Sequence, residues 1–484
     1  MLSQMEGRPV TISVTTDETI DALIESESQK FVDRQPRSTA MIAEAAESLA
    51  GGATSNWQIA LPQAVWMSHG QASHVWDVDG NEYVDMHGGY GAAIAGHGHP
   101  AIVEAVTRQV ALGTHFAQPT EDAIWVAREL SARFGLPLWR FGNSGTESTM
   151  DAIHLMRTIT GRDLILKLEG GYHGHHDSVQ VSVLPSAEEA GPRDNPNRVQ
   201  SNGGIPTAIV DLAVIVPFND LEAVERALIE NRDQIAGMIL EPVMMNAGII
   251  EPDPGYLQAL KDLLHRHGAY MTFDEVKTGF TTGPGGATAR YGVTPDIVCL
   301  AKALGGGISV AAIGGTREVM QAVIDRTYEQ VGTFNGNPLA MAAARATLER
   351  VLTPADYARM DALSESLHTQ MQATIDEYAM KWNLVSVGAK GCVTFRPDPV
   401  REFRDFLDVD DRFSHLHWLI QHNGGAFLPP WGKVEQWLLS VQHTEADVDL
   451  LVANFGKLAS IAGEHGHTSG HTSGHTSGHT PGAA

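Results

Sequence analysis

Ala269-Tyr270-Met271-Thr272-Phe273-Asp274-Glu275-Val276 and, a short way on, Ile297-Val298-Cys299-Leu300-Ala301-Lys302-Ala303-Leu304-Gly305-Gly306-Gly307 decide the fold class. Each opens with an apolar run too short for a helix and rich in strand formers, and each meets a charged side chain as the run ends. Strands buried on both faces of a parallel sheet read as such continuous runs rather than as alternating patterns. The same signal recurs at 138–141, 164–168, 213–217 and 238–240, with helical stretches between. The rhythm predicts an α/β fold with a mostly parallel central sheet. Ligands of such sheets bind outside the carboxyl ends of the strands, where Asp274 and Lys302 stand.

Around this core the chain divides into four expected parts. Residues 1–95 hold two helices and a hairpin and form part of a smaller domain. The second helix is expected to be capped by Ser38 or Thr39 and to close at Gly51-Gly52. The hairpin turns on Asp79-Gly80-Asn81. Residues 96–345 form the large domain, and 346–463 return as an α+β segment that packs with the N-terminal part. From 464 to 484 the chain repeats Thr-Ser-Gly-His, with His471, His475 and His479 four apart. That tail lacks the apolar residues of a core and reads as a disordered end or an appended tag rather than a metal-capturing segment.

The 484 residues are 43% hydrophobic and 19% charged, the balance of an ordinary globular chain. A formal net charge of −25 repels a phosphate backbone, which sets nucleic acid aside as a partner. No apolar run approaches the roughly 20 residues that span a bilayer. Cys299 and Cys392 are the only cysteines and are expected as reduced thiols. With no basic-then-apolar leader pattern, a cytoplasmic location is expected. No metal site is expected.

Four motifs carry chemistry. Asn143-Ser144-Gly145-Thr146-Glu147 follows a strand and opens a helix, whose first-turn N–H groups suit a phosphate. Gly170-Gly171-Tyr172-His173-Gly174 offers an aromatic face on a glycine-rich strand-end loop. Asp274 supplies an anion, and Lys302 supplies an amine that becomes a nucleophile when it loses its proton in a dry site. Each signal alone has an ordinary structural explanation: a helix cap, a rim aromatic, a turn former, a surface ion pair. One ligand needs all four together. Pyridoxal phosphate requires a lysine imine, an anion beside its pyridine nitrogen, a ring-stacking wall and a fixed phosphate.

With these motifs in that order, the sequence resembles the class III pyridoxal-phosphate aminotransferases, and among them the glutamate-1-semialdehyde 2,1-aminomutase branch. The likeness also runs through Gly96-His97-Gly98-His99-Pro100, Glu241-Pro242-Val243 and Gly332-Thr333-Phe334-Asn335-Gly336-Asn337-Pro338. It implies the fold-type I architecture and a homodimer with shared active sites. It also implies roles at matched positions: Lys302 carrying the cofactor as an imine, Asp274 at the ring nitrogen, Tyr172 and Val276 on the two ring faces. Ser144, Gly145 and Thr146 would hold the phosphate with Thr333 of a neighbouring subunit, and His173 and Asn246 would complete the cofactor contacts.

One departure bears on substrate. Where the aminomutases place an arginine for the substrate carboxylate, this chain has Gln58, beside Trp57. Glutamine lacks the charged bidentate contact. Trp57, Gln58 and Tyr90 are expected to line a pocket for hydrophobic amines or β-amino acids, exchanged with a carbonyl compound, and the resemblance places Glu435, matching a carboxylate of that branch, at the pocket entrance. Arg193 and Arg198, on the long 182–206 loop, are the expected substitutes if a carboxylate is bound. That loop lies where a mutase lid would lie, so intramolecular amino transfer is the alternative.

Overall fold

The computed structural model describes residues 17–59, 61–429 and 436–464. Glu435 and the His-rich tail after residue 464 lie outside them. In chain order the strands are β1 (Met67–Gln71), β2 (His74–Asp77), β3 (Glu82–Asp85), β4 (Leu138–Gly142), β5 (Leu164–Leu168), β6 (Ala213–Val216) and β7 (Ile235–Leu240). They continue with β8 (Tyr270–Asp274), β9 (Ile297–Leu300), β10 (Ala311–Gly315), β11 (Asn383–Val387), β12 (Lys390–Thr394), β13 (Ala426–Phe427) and β14 (Trp437–Leu438).

Seven strands form the central sheet in the order β4-β10-β9-β8-β7-β5-β6. The pairs β5–β6, β5–β7, β7–β8 and β8–β9 are parallel, and only β10 runs against its neighbours β4 and β9. All six residues of β7 and all four of β6 and β9 are buried, as the continuous apolar runs require. Helices cover both faces, among them Gly145–Thr160, packed on β7, β9 and β10. The strands expected from their apolar runs are present within a residue or two, except β7, which starts three residues before the expected Met238.

Two smaller sheets flank this layer. The hairpin β2–β3 forms as read, and β13, from far along the chain, adds to it in parallel beside β3. The smaller α+β part is thus built from both termini. The third sheet, β11-β12-β14, brings Lys390 and Leu438 together in register.

The second helix departs from expectation. It spans Pro36–Ala45, with Pro36 in its first turn, and Ser38 is buried inside it rather than capping it. Proline's fixed φ starts a helix without a side-chain cap. Asp79, in the hairpin turn, accepts hydrogen bonds from the Arg37 and Ser38 backbone N–H groups instead, at 2.7 and 3.0 Å.

Candidate active site

The parallel strands deliver their last residues to one edge. There Ser144 follows β4, Tyr172 and His173 follow β5, Glu241 follows β7, Asp274 ends β8 and Lys302 follows β9. A cavity of about 310 Å³ opens at this edge, lined by these six residues and also by Trp57, Gly145, Thr146, Asn246, Val276 and Lys277. Nine of the ten expected cofactor contacts line it: Ser144, Gly145, Thr146, Tyr172, His173, Asn246, Asp274, Val276 and Lys302.

The phosphate end is a capping box. Ser144 Oγ accepts from Glu147 N at 3.3 Å, and Glu147 Oε2 accepts from Ser144 N at 3.0 Å. Thr146 Oγ1 accepts from His175 N at 3.1 Å. A Cβ on Gly145 would come within 2.9 Å of both Val276 methyls, so only glycine lets the helix start approach the β8 turn this closely. The unpaired first-turn N–H groups of a 16-residue helix then face the cavity with the positive end of its dipole.

Asp274 is 4% exposed. His173 Nδ1 bonds to Asp274 Oδ2 at 2.8 Å, and Val276 N donates to Oδ1 at 3.0 Å, which fixes the carboxylate plane. Burial, with the Asp274 charge, pushes the Tyr172 hydroxyl up to about 12. Lys302 sits at φ +48°, a left-handed conformation costly for a residue with a Cβ. Such strain persists where the surroundings demand a direction for the side chain. Its amine forms no hydrogen bond or ion pair among the described residues. Burial lowers its pKa, against the opposing pull of Asp274 and Glu241.

These features suit pyridoxal phosphate: an unengaged amine, a buried fixed carboxylate, an aromatic wall and a cradle cleared by Gly145. Asn246 is held by its own amide, Nδ2 donating to Glu241 Oε2 at 2.9 Å. Glu241 also accepts from Tyr172 N at 3.0 Å and Met245 N at 2.8 Å, so one buried acid organises two cavity walls.

The expected substrate residues are less concentrated. Trp57 lines the cavity, with its ring 5.4 Å from those of both Tyr90 and Tyr172. Tyr90 stands behind it at φ +58°, its hydroxyl donating to the Trp57 carbonyl at 3.2 Å. Gln58 is exposed and does not line the cavity; its Oε1 accepts from Thr54 N at 3.2 Å and from the Thr54 hydroxyl. Thr333 is exposed, away from this chain's own cavity. Neither Arg193 nor Arg198 lines the cavity. Arg193 pairs with Asp220 and Glu402 at 2.7 Å each, and Arg198 donates to the Asp211 carbonyl, so both pin the 182–206 loop to the body. Lys277 and Glu241 line the cavity without having been assigned a role from sequence; the signal for Lys277 was a second lysine in the turn that Asp274 opens.

The Aminotransferase class-III family model matches residues 58–411. Glutamate-1-semialdehyde 2,1-aminomutase 2 of Brevibacillus brevis is 36% identical over 420 residues, 85% of this chain and 96% of that one. An omega-transaminase from Sphaerobacter thermophilus superposes with a TM-score of 0.84 at 32% identity, covering 89% of this chain and 99% of that one. A beta-phenylalanine aminotransferase from Variovorax paradoxus gives 0.81 at 28% identity over 92% and 98%. With its sheet, cavity and motifs in agreement, the chain belongs to the class III aminotransferases, pyridoxal-phosphate enzymes of fold-type I.

Proposed function

We propose that this enzyme exchanges an amino group between a hydrophobic amine or β-amino acid and a carbonyl compound, with Lys302 as the residue that carries the cofactor. The observation that carries the substrate reading is the wall at position 58. Gln58 turns outward to Thr54, Trp57, 39% exposed, lines the cavity beside the rings of Tyr90 and Tyr172, and no arginine lines the cavity among the described residues. The omega-transaminase and beta-phenylalanine aminotransferase likenesses support the same substrate class.

When bound, pyridoxal phosphate supplies an electrophilic carbon for the amino group and a ring that takes up the electron pair left as the C–H bond of the amine-bearing carbon breaks. The chain's residues do the rest. Ser144, Gly145 and Thr146 would bind the phosphate, and Tyr172 and Val276 would hold the ring between them. Asp274, braced by His173, would keep the ring nitrogen protonated. Asn246 would meet the ring hydroxyl. Lys302 Nζ, its basicity lowered by burial, would take the proton from the substrate's amine-bearing carbon and return it to the cofactor carbon that receives the amino group. Thr333 would serve the site of a second copy of the chain, making the working unit a homodimer.

The glutamate-1-semialdehyde 2,1-aminomutase relative favours intramolecular transfer as the second reading. A side-by-side rate comparison decides. The enzyme is expected to transaminate 3-amino-3-phenylpropanoate with release of free keto product and to show little mutase turnover; efficient mutase turnover reverses the choice. For the shared site, mixing Lys302→Ala and Thr333→Ala proteins should restore activity in heterodimers, and no recovery argues against a second chain in the site.

A further inference from the structure

Lys302 has two amine neighbours that the reaction as described leaves unused. Lys277 and Lys302 are the only lysine or arginine side chains lining the cavity among the described residues. Lys277 Nζ donates one hydrogen bond, to the Met245 carbonyl at 3.1 Å, and forms no ion pair with a described carboxylate. Across Gly91 from the Lys302 stem lies Lys390, the first residue of β12 and only 1% exposed. It forms neither a hydrogen bond nor an ion pair among the described residues. A Cβ on Gly91 would stand 3.5 Å from Lys390 Cε and 3.9 Å from Lys302 Cδ, so a single glycine separates the two stems.

Clustering buried amines is unfavourable, because each loses hydration and repels the others. Burial lowers the Lys390 amine to about 7, with the Lys302 charge adding to the effect. Burial lowers Lys277 well below the ordinary lysine range, helped by Lys302 and Lys390, while Glu241 and Asp274 oppose. The other ionisable groups facing the pair are Cys392 and His87. Lys167 shows the contrasting arrangement: equally buried, it donates to the Leu168 carbonyl at 3.1 Å and lies in the field of Glu241 and Glu169. A methionine would fill the place of Lys390 without the electrostatic cost. An anion brought by a ligand would supply what the cluster lacks.

We propose that Lys277, backed by Lys390, receives the carboxylate of the amino substrate, so that the enzyme prefers amino carboxylates to uncharged-chain amines with the same aromatic group. This rests on the transaminase reading above and selects within it. The carboxylate would contact the Lys277 amine, and Lys390 would strengthen the local positive field from across Gly91. Lys302 is committed to the cofactor, which leaves Lys277 as the cavity amine, among the described residues, that an incoming anion can charge.

The test uses the cofactor-loaded enzyme, each variant first checked for its visible cofactor band. Calorimetry with 3-phenylpropanoate, which has the ring and carboxylate but no amine to react, is run at pH 8 in two buffers of different ionisation enthalpy. Binding should take up protons, since an anion favours the charged amines. It should exceed binding of neutral 3-phenylpropanamide by about ten- to a hundredfold, the range for a charge-assisted contact. In Lys277→Met that preference and the proton uptake should vanish, and in Lys390→Met both should shrink. The ratio of kcat/KM for 3-amino-3-phenylpropanoate over 1-phenylethylamine should fall about tenfold or more in Lys277→Met. An unchanged ratio, equal losses on both substrates, or equal binding of the acid and the amide by the wild type overturns the proposal. If the wild type transaminates neither substrate, the transaminase reading fails separately, while the calorimetry still decides the role of Lys277.

Discussion

The two ends of the cavity treat charge in opposite ways. At the Ser144 end the side chains are tied to nearby backbone: Ser144 Oγ accepts from Glu147 N, Glu147 from Ser144 N, and Thr146 Oγ1 from His175 N. What remains for a ligand is backbone N–H, rigid and already aimed. At the Lys302 end three amines converge without an acid in ion-pair range among the described residues. The first end is organised before anything binds, and fixed dipoles of that kind give affinity at little cost in reordering. The second is left incomplete, and groups whose charge depends on what enters are suited to reaction and discrimination.

The sharpest way to break this contrast is to remove the reactive amine. Lys302→Ala should lose on the order of a thousandfold or more in kcat while the phosphate end remains intact. Borohydride should fix the cofactor to the wild type at Lys302 and leave the variant unlabelled. A variant that keeps both label and turnover would place the chemistry elsewhere.

Asp274→Asn comes next. It keeps the shape and the contact with Val276 but removes the charge, so cofactor should still bind while turnover drops about a hundred- to a thousandfold, ~3–4 kcal/mol of barrier. Stopped-flow traces of the half-reaction would show the loss in the proton-transfer step, and near-normal rates would contradict the role.

Gly145→Ala tests the organised end. Its methyl would meet Val276 at 2.9 Å, so the helix start must retreat. We expect cofactor affinity to fall about ten- to a hundredfold, measured by equilibrium dialysis, with a much smaller change in the rate of the saturated enzyme.

The smallest effect is on stability. Lys390 has a folded pKa of about 7, below the ~10.4 of an unfolded lysine. Between those values the unfolded chain holds a proton that the folded chain lacks, so this group makes stability rise with pH from 7 to about 10. Below pH 7 both states are protonated and the penalty is constant and full. Lys390→Met should therefore raise the melting temperature by a few degrees at pH 7, with the gain fading toward pH 10. A pH-independent change would mean that packing, not charge, dominates at this position.

Much of the site was legible because it is local. Ser144, Tyr172, Asp274 and Lys302 each follow an apolar run, and parallel strands bring their ends to one edge whatever the loops between them do. Gln58 shows where that reasoning stops. Its residue type was readable, but its direction was set by Thr54, four residues away on an exposed turn. Arg193 was a free cation in the sequence and became half of a two-acid clamp with Asp220 and Glu402, neither of which its neighbours predict.

Short segments were enough to read the sheet and the cofactor, since strand runs and the residues at strand ends are local properties. Which charges stay unpaired depends on how distant segments pack in three dimensions. Lys277, Lys302 and Lys390 come from the β8 turn, the end of β9 and the start of β12, and nothing in their separate surroundings brings them together. The approach of the Lys302 and Lys390 stems on either side of Gly91 depends on how the third sheet packs against the central one, because electrostatic energy depends on distance in space and not along the chain.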